Sequence, residues 1–154
     1  MVAPNGAASM NPAPLLRPNG CALSQSGTHF VVAETRVHRV TVLDLVDHRL
    51  VNPRPMGVLP SGTWADGMCL DAQDHAWVAD PKGGHCFRLS PDGSVVAVID
   101  TSPYRCVACV LGGPERTTLF LTLAEDLKPF GRDDGVLSSR VDAVTVPVPG
   151  GGVP

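Results

Sequence analysis

The sequence predicts an all-β fold built from repeats of four short strands. Gly and Pro contribute 16 and 15 of the 154 residues. They separate short runs rich in Val, Leu and Thr, which is the pattern of strands joined by tight turns. Gly or Pro interrupts every run that begins to show the apolar spacing of an amphipathic helix. The order of runs and turns also recurs along the chain, which indicates a repeat architecture.

The first repeat follows an N-terminal segment, residues 1–17, that is rich in Pro, Ala and Asn and is predicted to be irregular. A polar turn at residues 25–28 separates the first two strands of the repeat. Its four strands are predicted at residues 21–24, 29–34, 39–44 and 51–59, the last interrupted by prolines. These lengths are usual for strands of globular proteins.

A second repeat shows the same order, because Asn19 and Asp66 open equivalent segments 47 residues apart. Its strands are predicted at residues 68–71, 76–80, 85–89 and 95–99, and those of a shorter third repeat at 107–111, 118–122 and 140–146. Four short strands in a repeat of roughly 40–50 residues predict the blade of a β-propeller. The propeller domain is therefore assigned to residues 18–146, and residues 147–154 are predicted to be a flexible tail.

About three blades make an incomplete propeller. A blade can bury both faces of its sheet only against neighbouring blades, so an open stack leaves two apolar faces uncovered, and such faces favour association. The sequence leaves two alternatives open. Either the chain is a fragment of a longer propeller, or it pairs with another chain.

Composition and charge narrow the possible functions. The formal net charge is −3, and no basic stripe predicts binding to nucleic acid. No apolar stretch is long enough to cross a membrane, and residues 1–14 lack the pattern of a signal peptide. The five cysteines are odd in number and irregularly spaced, which argues against a disulfide framework. We therefore expect a cytoplasmic protein.

Asn19 and Asp66 are the candidate metal ligands. Each precedes a glycine and the first strand of its repeat, so both are predicted to face the central channel at one end of the propeller. Amide and carboxylate oxygens suit calcium, magnesium or manganese, and they also bind zinc. The alternative is that both are turn residues, since Asn-Gly and Asp-Gly are common turn dipeptides. The residues alone leave both interpretations open.

Three segments of the chain contain motifs of a known family. Residues 18–24, Pro-Asn-Gly-Cys-Ala-Leu-Ser, resemble a blade opening of the gluconolactonase/senescence-marker-protein (regucalcin-like) family. Residues 66–84 contain Asp-Gly-Met-Cys, Trp-Val-Ala and Gly-Gly in the family's order, which is the most specific part of the match. Residues 107–122 resemble a later blade. The resemblance covers about residues 15–146 and implies the C-terminal half of a six-bladed propeller.

The resemblance implies a metal-dependent lactonase that acts on sugar lactones or related lactones. The family holds one divalent ion with a Glu, an Asn and an Asp. Asn19 matches the Asn, and Asp66 matches the Asp, which also helps to activate the attacking water. The matching Glu, and the Arg and Asn that contact substrate, lie in earlier blades and would precede Met1. We expect the chain by itself to bind a metal weakly and to hydrolyse lactones slowly. The alternative is a truncated propeller that acts as a binding module or is inactive alone.

Glu34 and Asp80 are weaker candidates for a functional role. They occupy matching strand ends, from which a side chain can reach the channel mouth. Surface carboxylates are common at strand ends, so we predict that both are solvated or paired with Arg36 and Lys82.

Cys106 and Cys109 have the spacing of a metal-binding pair, but the sequence contains no second pair of this kind. An odd offset along a strand predicts that the two thiols lie on opposite faces. We therefore interpret them as ordinary small residues of the core.

Overall fold

The computed structural model describes residues 6, 14–125 and 139–151. Within these residues the chain forms strands and one short 3-10 turn, Thr35–Val37, so the predicted all-β fold is confirmed. No helix of the described residues is long and apolar enough to cross a membrane. The strands are β1 (Pro18–Leu23), β2 (His29–Glu34), β3 (Arg39–Val46), β4 (Arg49–Val58), β5 (Met68–Leu70), β6 (Ala76–Asp80), β7 (His85–Leu89), β8 (Val95–Asp100), β9 (Arg105–Gly112), β10 (Thr118–Ala124) and β11 (Ser139–Thr145).

The strands form three antiparallel sheets, and within each sheet consecutive strands of the sequence pair with one another. The first sheet has the order β1-β2-β3-β4, the second β5-β6-β7-β8 and the third β9-β10-β11. The prediction of about three propeller blades is therefore confirmed. We call β1, β5 and β9, the first strands of the three sheets, the inner strands.

Two apolar layers hold the three sheets together. The layer between the first two sheets contains Val31, Val40, Met68, Leu70, Val78, Phe87 and Leu89. The layer between the second and third sheets contains Trp77, Ala79, Cys86, Cys106, Cys109, Leu111, Leu119, Leu121 and Leu123. The middle sheet is thus covered on both faces.

Strand β6 shows this arrangement most clearly, because all five of its residues are buried. Successive side chains of a strand point to opposite faces. Ala76 and Val78 accordingly pack in the layer shared with the first sheet, and Trp77 and Ala79 pack in the layer shared with the third. A strand buried on both faces shows a continuous apolar run instead of an alternating one, which explains the sequence Ala-Trp-Val-Ala.

The element boundaries differ from the sequence-based ones by a few residues. Strand β4 begins at Arg49, and its two prolines, Pro53 and Pro55, are accommodated because β4 is the edge strand of its sheet. Within the segment predicted as a flexible tail, Pro149 accepts from the amide of Ala72, and Gly151 donates to the carbonyl of Leu70. The remaining tail residues, 152–154, lie outside the described residues, as do 1–5 and 7–13 of the N-terminal segment.

The prediction that Cys106 and Cys109 lie on opposite faces is wrong. In the pairing of β9 with β10, Cys106 lies opposite Leu123 and Ala108 lies opposite Thr122, so β9 contains one extra residue at this point. Such a β-bulge shifts the alternation of side chains by one position. Both thiols are therefore buried in the layer between the second and third sheets, and the interpretation as core residues is confirmed.

Candidate functional site

Asn19 and Asp66 lie at the same end of two adjacent inner strands. The backbone amide of Gly20 donates to the carbonyl of Asp66 at 3.1 Å, across the boundary between the first and second sheets. This bond places the two side chains next to each other, and Asn19 Nδ2 donates to Asp66 Oδ1. The structure therefore brings the two predicted ligands together.

The third sheet presents an apolar residue at the equivalent position. The amide of Gly67 donates to the carbonyl of Val107 at 3.1 Å, in the same way as that of Gly20 donates to Asp66. Val107 thus occupies, in the third repeat, the position that Asn19 and Asp66 occupy in the first and second repeats. Among these three equivalent positions, only those of the first two sheets supply oxygen ligands.

Glycine at position 20 allows the first two inner strands to approach this closely. A Cβ atom on Gly20 would lie 2.6 Å from the carbonyl oxygen of Asp66 and would also clash with the backbone nitrogen of Met68. Both contacts are with backbone, which cannot turn aside as a flexible side chain would. The site therefore requires glycine here for space rather than for an unusual backbone torsion.

A Gly20→Ala variant should separate the first two inner strands and lower the stability by about 1–3 kcal/mol, the usual cost of overpacking. Urea unfolding measures this difference. Gly112→Ala is the matched control, because a Cβ at that position meets only the ring of Phe120, at 3.4 Å. Equal midpoints for the two variants would contradict the close packing of β1 against β5.

The carboxyl group of Asp66 is partly buried, and burial raises its pKa above the ordinary value. The positive charge of Arg17 and the hydrogen bond from Asn19 oppose this rise without cancelling it. Asp66 consequently keeps its proton to a higher pH than a solvated aspartate does. A group of this kind is well suited to accept a proton and then release it.

Glu34 is a fully buried structural group, and the prediction that it is solvated or paired with Arg36 is wrong. Its Oε1 accepts from Arg39 Nε at 2.9 Å, and its Oε2 accepts from the amide of Leu16 at 2.6 Å. Burial raises the pKa of Glu34, but hydrogen bonds from Leu16, Thr41 and Arg39 outweigh it and leave the pKa lowered.

Asp80 is equally buried and performs the matching role in the second sheet. Its Oδ1 accepts from the amide of Trp64 at 2.8 Å and from the amide of Lys82 at 3.1 Å. The predicted pairing with Lys82 therefore involves its backbone, and the predicted solvation is wrong. Both amides lie outside the strand ladders, and Asp80 supplies their acceptor.

Glu34 and Asp80 thus fix the two segments that lead into the site. Leu16 lies three residues before Asn19, and Trp64 lies two residues before Asp66. Two further bonds position the second segment, from Thr35 Oγ1 to the carbonyl of Ala65 at 2.7 Å, and from the amide of Asp66 to the carbonyl of Ala79 at 3.0 Å. Sequence reasoning matched Glu34 with Asp80 but missed this role. The signal was an acidic residue at the end of the second strand in both repeats.

A cavity of about 210 Å³ lies farther along the same inner strands. All three inner strands line it, with Cys21 from β1, Cys69 from β5 and Cys109 from β9 among the lining residues. A second cavity, of about 290 Å³, lies between the first two sheets near Ser24 and His29, at the opposite end of β1 from Asn19. Of these two cavities, the first is the one that all three inner strands line.

The side-chain oxygen atoms of Asn19 and Asp66 are the candidate metal donors at this end of the inner strands. No group of three or more His, Cys, Asp or Glu side chains in the described part of the chain is arranged to hold a metal ion. The pair fits a divalent ion in kind, because a carboxylate and a side-chain amide are both hard oxygen donors. Two protein ligands alone do not complete the coordination of a divalent ion.

Residues 1–125 match the model of the family described as the SMP-30/gluconolactonase/LRE-like region. Regucalcin from Xenopus laevis is 34% identical over 62 residues, which are 40% of this chain and 21% of that protein. Regucalcin from Oryctolagus cuniculus is 32% identical over 79 residues, which are 51% of this chain and 25% of that protein. The matched stretches thus span a quarter or less of these relatives.

Solved structures resemble this chain in fold. A luciferin-regenerating enzyme superposes with a TM-score of 0.81 at 18% identity, over 97% of this chain and 52% of that one. A gluconolactonase from Xanthomonas campestris gives 0.65 at 24% identity, over 79% and 39%. The calcium-binding protein regucalcin from Agrobacterium tumefaciens gives 0.68 at 20% identity, over 86% and 47%. The chain therefore spans about half of the luciferin-regenerating enzyme and less than half of the other two proteins.

Proposed function

Because this chain belongs to the SMP-30/gluconolactonase/LRE-like family, we propose that it carries part of the site of a metal-dependent sugar lactonase. The supporting observation is the contact between the side chains of Asn19 and Asp66, which two separate repeats bring to one end of the channel. The fold and family are those of sugar lactonase-like proteins. The ligands, the metal and the reaction of this chain are the proposal.

Asn19 and Asp66 would together hold a calcium, zinc, manganese or magnesium ion. The Asn19 amide presents Nδ2 to Asp66, and a half turn of its last torsion angle brings the amide oxygen to the same place. When bound, the ion polarises the lactone carbonyl and stabilises the negative charge that develops on its oxygen. Glu34 and Asp80 keep the segments that carry both ligands in place.

Asp66 would act as the base that accepts a proton from the attacking water. One oxygen of the Asp66 carboxylate would ligate the ion, and the proton would go to the other oxygen. A new bond forms between the water oxygen and the carbonyl carbon, and the ring C–O bond then breaks. The departing ring oxygen takes this proton from Asp66 and becomes a hydroxyl group, which leaves an open-chain hydroxy acid and restores the carboxylate.

Hydrolysis of D-glucono-1,5-lactone in a pH-stat tests this proposal. The chain is stripped with a chelator and then supplied with calcium, zinc, manganese or magnesium, and the spontaneous rate is subtracted. We expect a slow rate that depends on the added metal. A rate equal to the spontaneous one with all four metals would overturn the catalytic proposal.

A catalytically incomplete propeller that acts as a binding module is the second candidate. The apolar Val107 at the third equivalent position favours it, because this leaves only two candidate ligands. Val110, Val141 and Val144 are exposed on the third sheet and favour self-association. Metal-dependent thermal stabilisation without lactone hydrolysis would support this second function over the first.

A further inference from the structure

Four of the five cysteines meet between the second and third sheets. Cys69 and Cys86 come from the second sheet, and Cys106 and Cys109 come from the third. All five cysteines of the chain are free thiols. The bulge in β9 creates this cluster, because it turns Cys106 and Cys109 to the same face of the third sheet.

Cys69 and Cys109 lie close enough to react with each other. Their sulfur atoms lie 4.0 Å apart, with Cys69 as the hydrogen-bond donor. Cys69 belongs to β5 and Cys109 to β9, which are adjacent inner strands of different sheets. A disulfide has a sulfur–sulfur distance of about 2.05 Å, so each sulfur needs to move by only about 1 Å to form one.

The same two thiols line the cavity of about 210 Å³ on the inner strands. This volume is several times the share of about 30 Å³ that one water molecule occupies in the liquid, so a small oxidant can enter. Cys69 is partly exposed, whereas Cys86 and Cys106 are fully buried. Access therefore favours Cys69 over the other two as the first thiol to be oxidised.

We propose that Cys69 and Cys109 form a disulfide between the second and third sheets when the protein meets hydrogen peroxide. Cys69 attacks one peroxide oxygen, which breaks the O–O bond, forms a sulfenic acid and releases water. Cys109 then attacks the sulfur of Cys69, and the hydroxyl group leaves as a second water. The two thiols together lose two electrons and two protons, and the peroxide gains both.

The reaction is slow, because the thiolate is the nucleophile in both steps and a raised pKa leaves little of each thiol in this form. The hydrogen bond to Cys109, together with burial, raises the pKa of Cys69. The contact with Cys69 lowers the pKa of Cys109, but the contact with Cys86 and burial outweigh it and leave the pKa raised. The pair therefore acts as a latent cross-link that forms under sustained oxidation. The proposal stands independently of the lactonase function.

The test is treatment of the folded chain with millimolar hydrogen peroxide, followed by alkylation of the remaining thiols and non-reducing peptide mass spectrometry. After digestion with trypsin, we expect the peptide that contains Cys69 to be linked to the peptide that begins at Cys106. That peptide contains both Cys106 and Cys109, and fragmentation between them locates the bond at Cys109. The oxidised chain should also unfold at a higher temperature, because the bond closes a loop between residues 40 apart.

Variants distinguish the proposed pair from its neighbours. Cys21→Ser should still form the cross-link, and Cys109→Ser should abolish it. Because Cys109 is buried and its replacement can impair folding, Cys69→Ser at the more exposed partner provides a second loss-of-link variant. A bond between Cys86 and Cys106, oxidation confined to Cys21, or no disulfide after prolonged exposure would each overturn the assignment.

Discussion

An Asp66→Ala variant should hydrolyse gluconolactone at least ~100-fold more slowly than the parent chain, which is the low end of the contribution of a general base. The substitution removes the proposed proton acceptor and one of the two proposed ligands. The expected change is therefore in kcat as well as in the metal concentration that gives half-maximal rate. Initial rates in a pH-stat over a range of metal concentrations measure both.

Asp142→Ala is the control, because it removes the same charge from an exposed pair with Arg140 on the edge strand β11. It should hydrolyse the lactone like the parent. If Asp66→Ala did so too, Asp66 would not be the base. The fold would then be retained without the proposed chemistry.

The pH dependence of the parent rate gives a second measure of the same group. The folded pKa of Asp66 is raised mainly by burial, and the active form is the carboxylate. Protons compete with the metal for this carboxylate, so the metal concentration that gives half-maximal rate should rise with decreasing pH already above the ordinary aspartate range. Arg17→Ala should move this rise to still higher pH, because the positive charge of Arg17 lowers the pKa of Asp66.

The largest loss of stability is expected from Asp71→Ala, at about 3–5 kcal/mol, the usual result of breaking one side of a buried ion pair. Asp71 is fully buried, and its Oδ2 accepts from Arg88 Nε at 2.8 Å. Its Oδ1 accepts from the amides of Gln73 and His75 at 2.8 and 3.1 Å. The variant leaves the guanidinium and both amides without this acceptor. Urea unfolding at neutral pH measures the difference.

Two comparisons show whether the loss arises from the unpaired charge. Asp44→Ala disrupts a more exposed pair with Arg54 and should change the unfolding midpoint little. The double variant Asp71→Ala/Arg88→Met also removes the buried cation, so it should be more stable than Asp71→Ala alone. A double variant that is no more stable would assign the loss to the backbone amides instead.

The strands and the repeat could be predicted from the sequence because both depend on local patterns. Alternating runs, turn dipeptides and the 47-residue offset between Asn19 and Asp66 predicted the all-β fold with about three blades. The meeting of these two residues also followed, because equivalent positions of adjacent blades converge on the channel. Their role in metal binding is a proposal that the repeat and the family support.

The surroundings of the site could not be predicted in the same way. Glu34 and Asp80 looked like surface carboxylates, but each accepts from a backbone amide of a segment that precedes an inner strand. A residue's own neighbours in the sequence do not show such contacts. The faces of Cys106 and Cys109 were predicted wrongly because one extra residue in β9 reverses the alternation. A bulge leaves little trace in a pattern of small and apolar residues.

The burial of β6 on both faces has a consequence for how the protein unfolds. Detaching the first or the third sheet exposes one face of this strand to water. The free energy of detaching either sheet therefore includes the exposure of apolar surface on the middle sheet. Stability in such stacked repeats depends on the interfaces as well as on each repeat. The middle sheet therefore acts as the thermodynamic link between the other two, and the part of the chain with the slowest amide exchange should be β6.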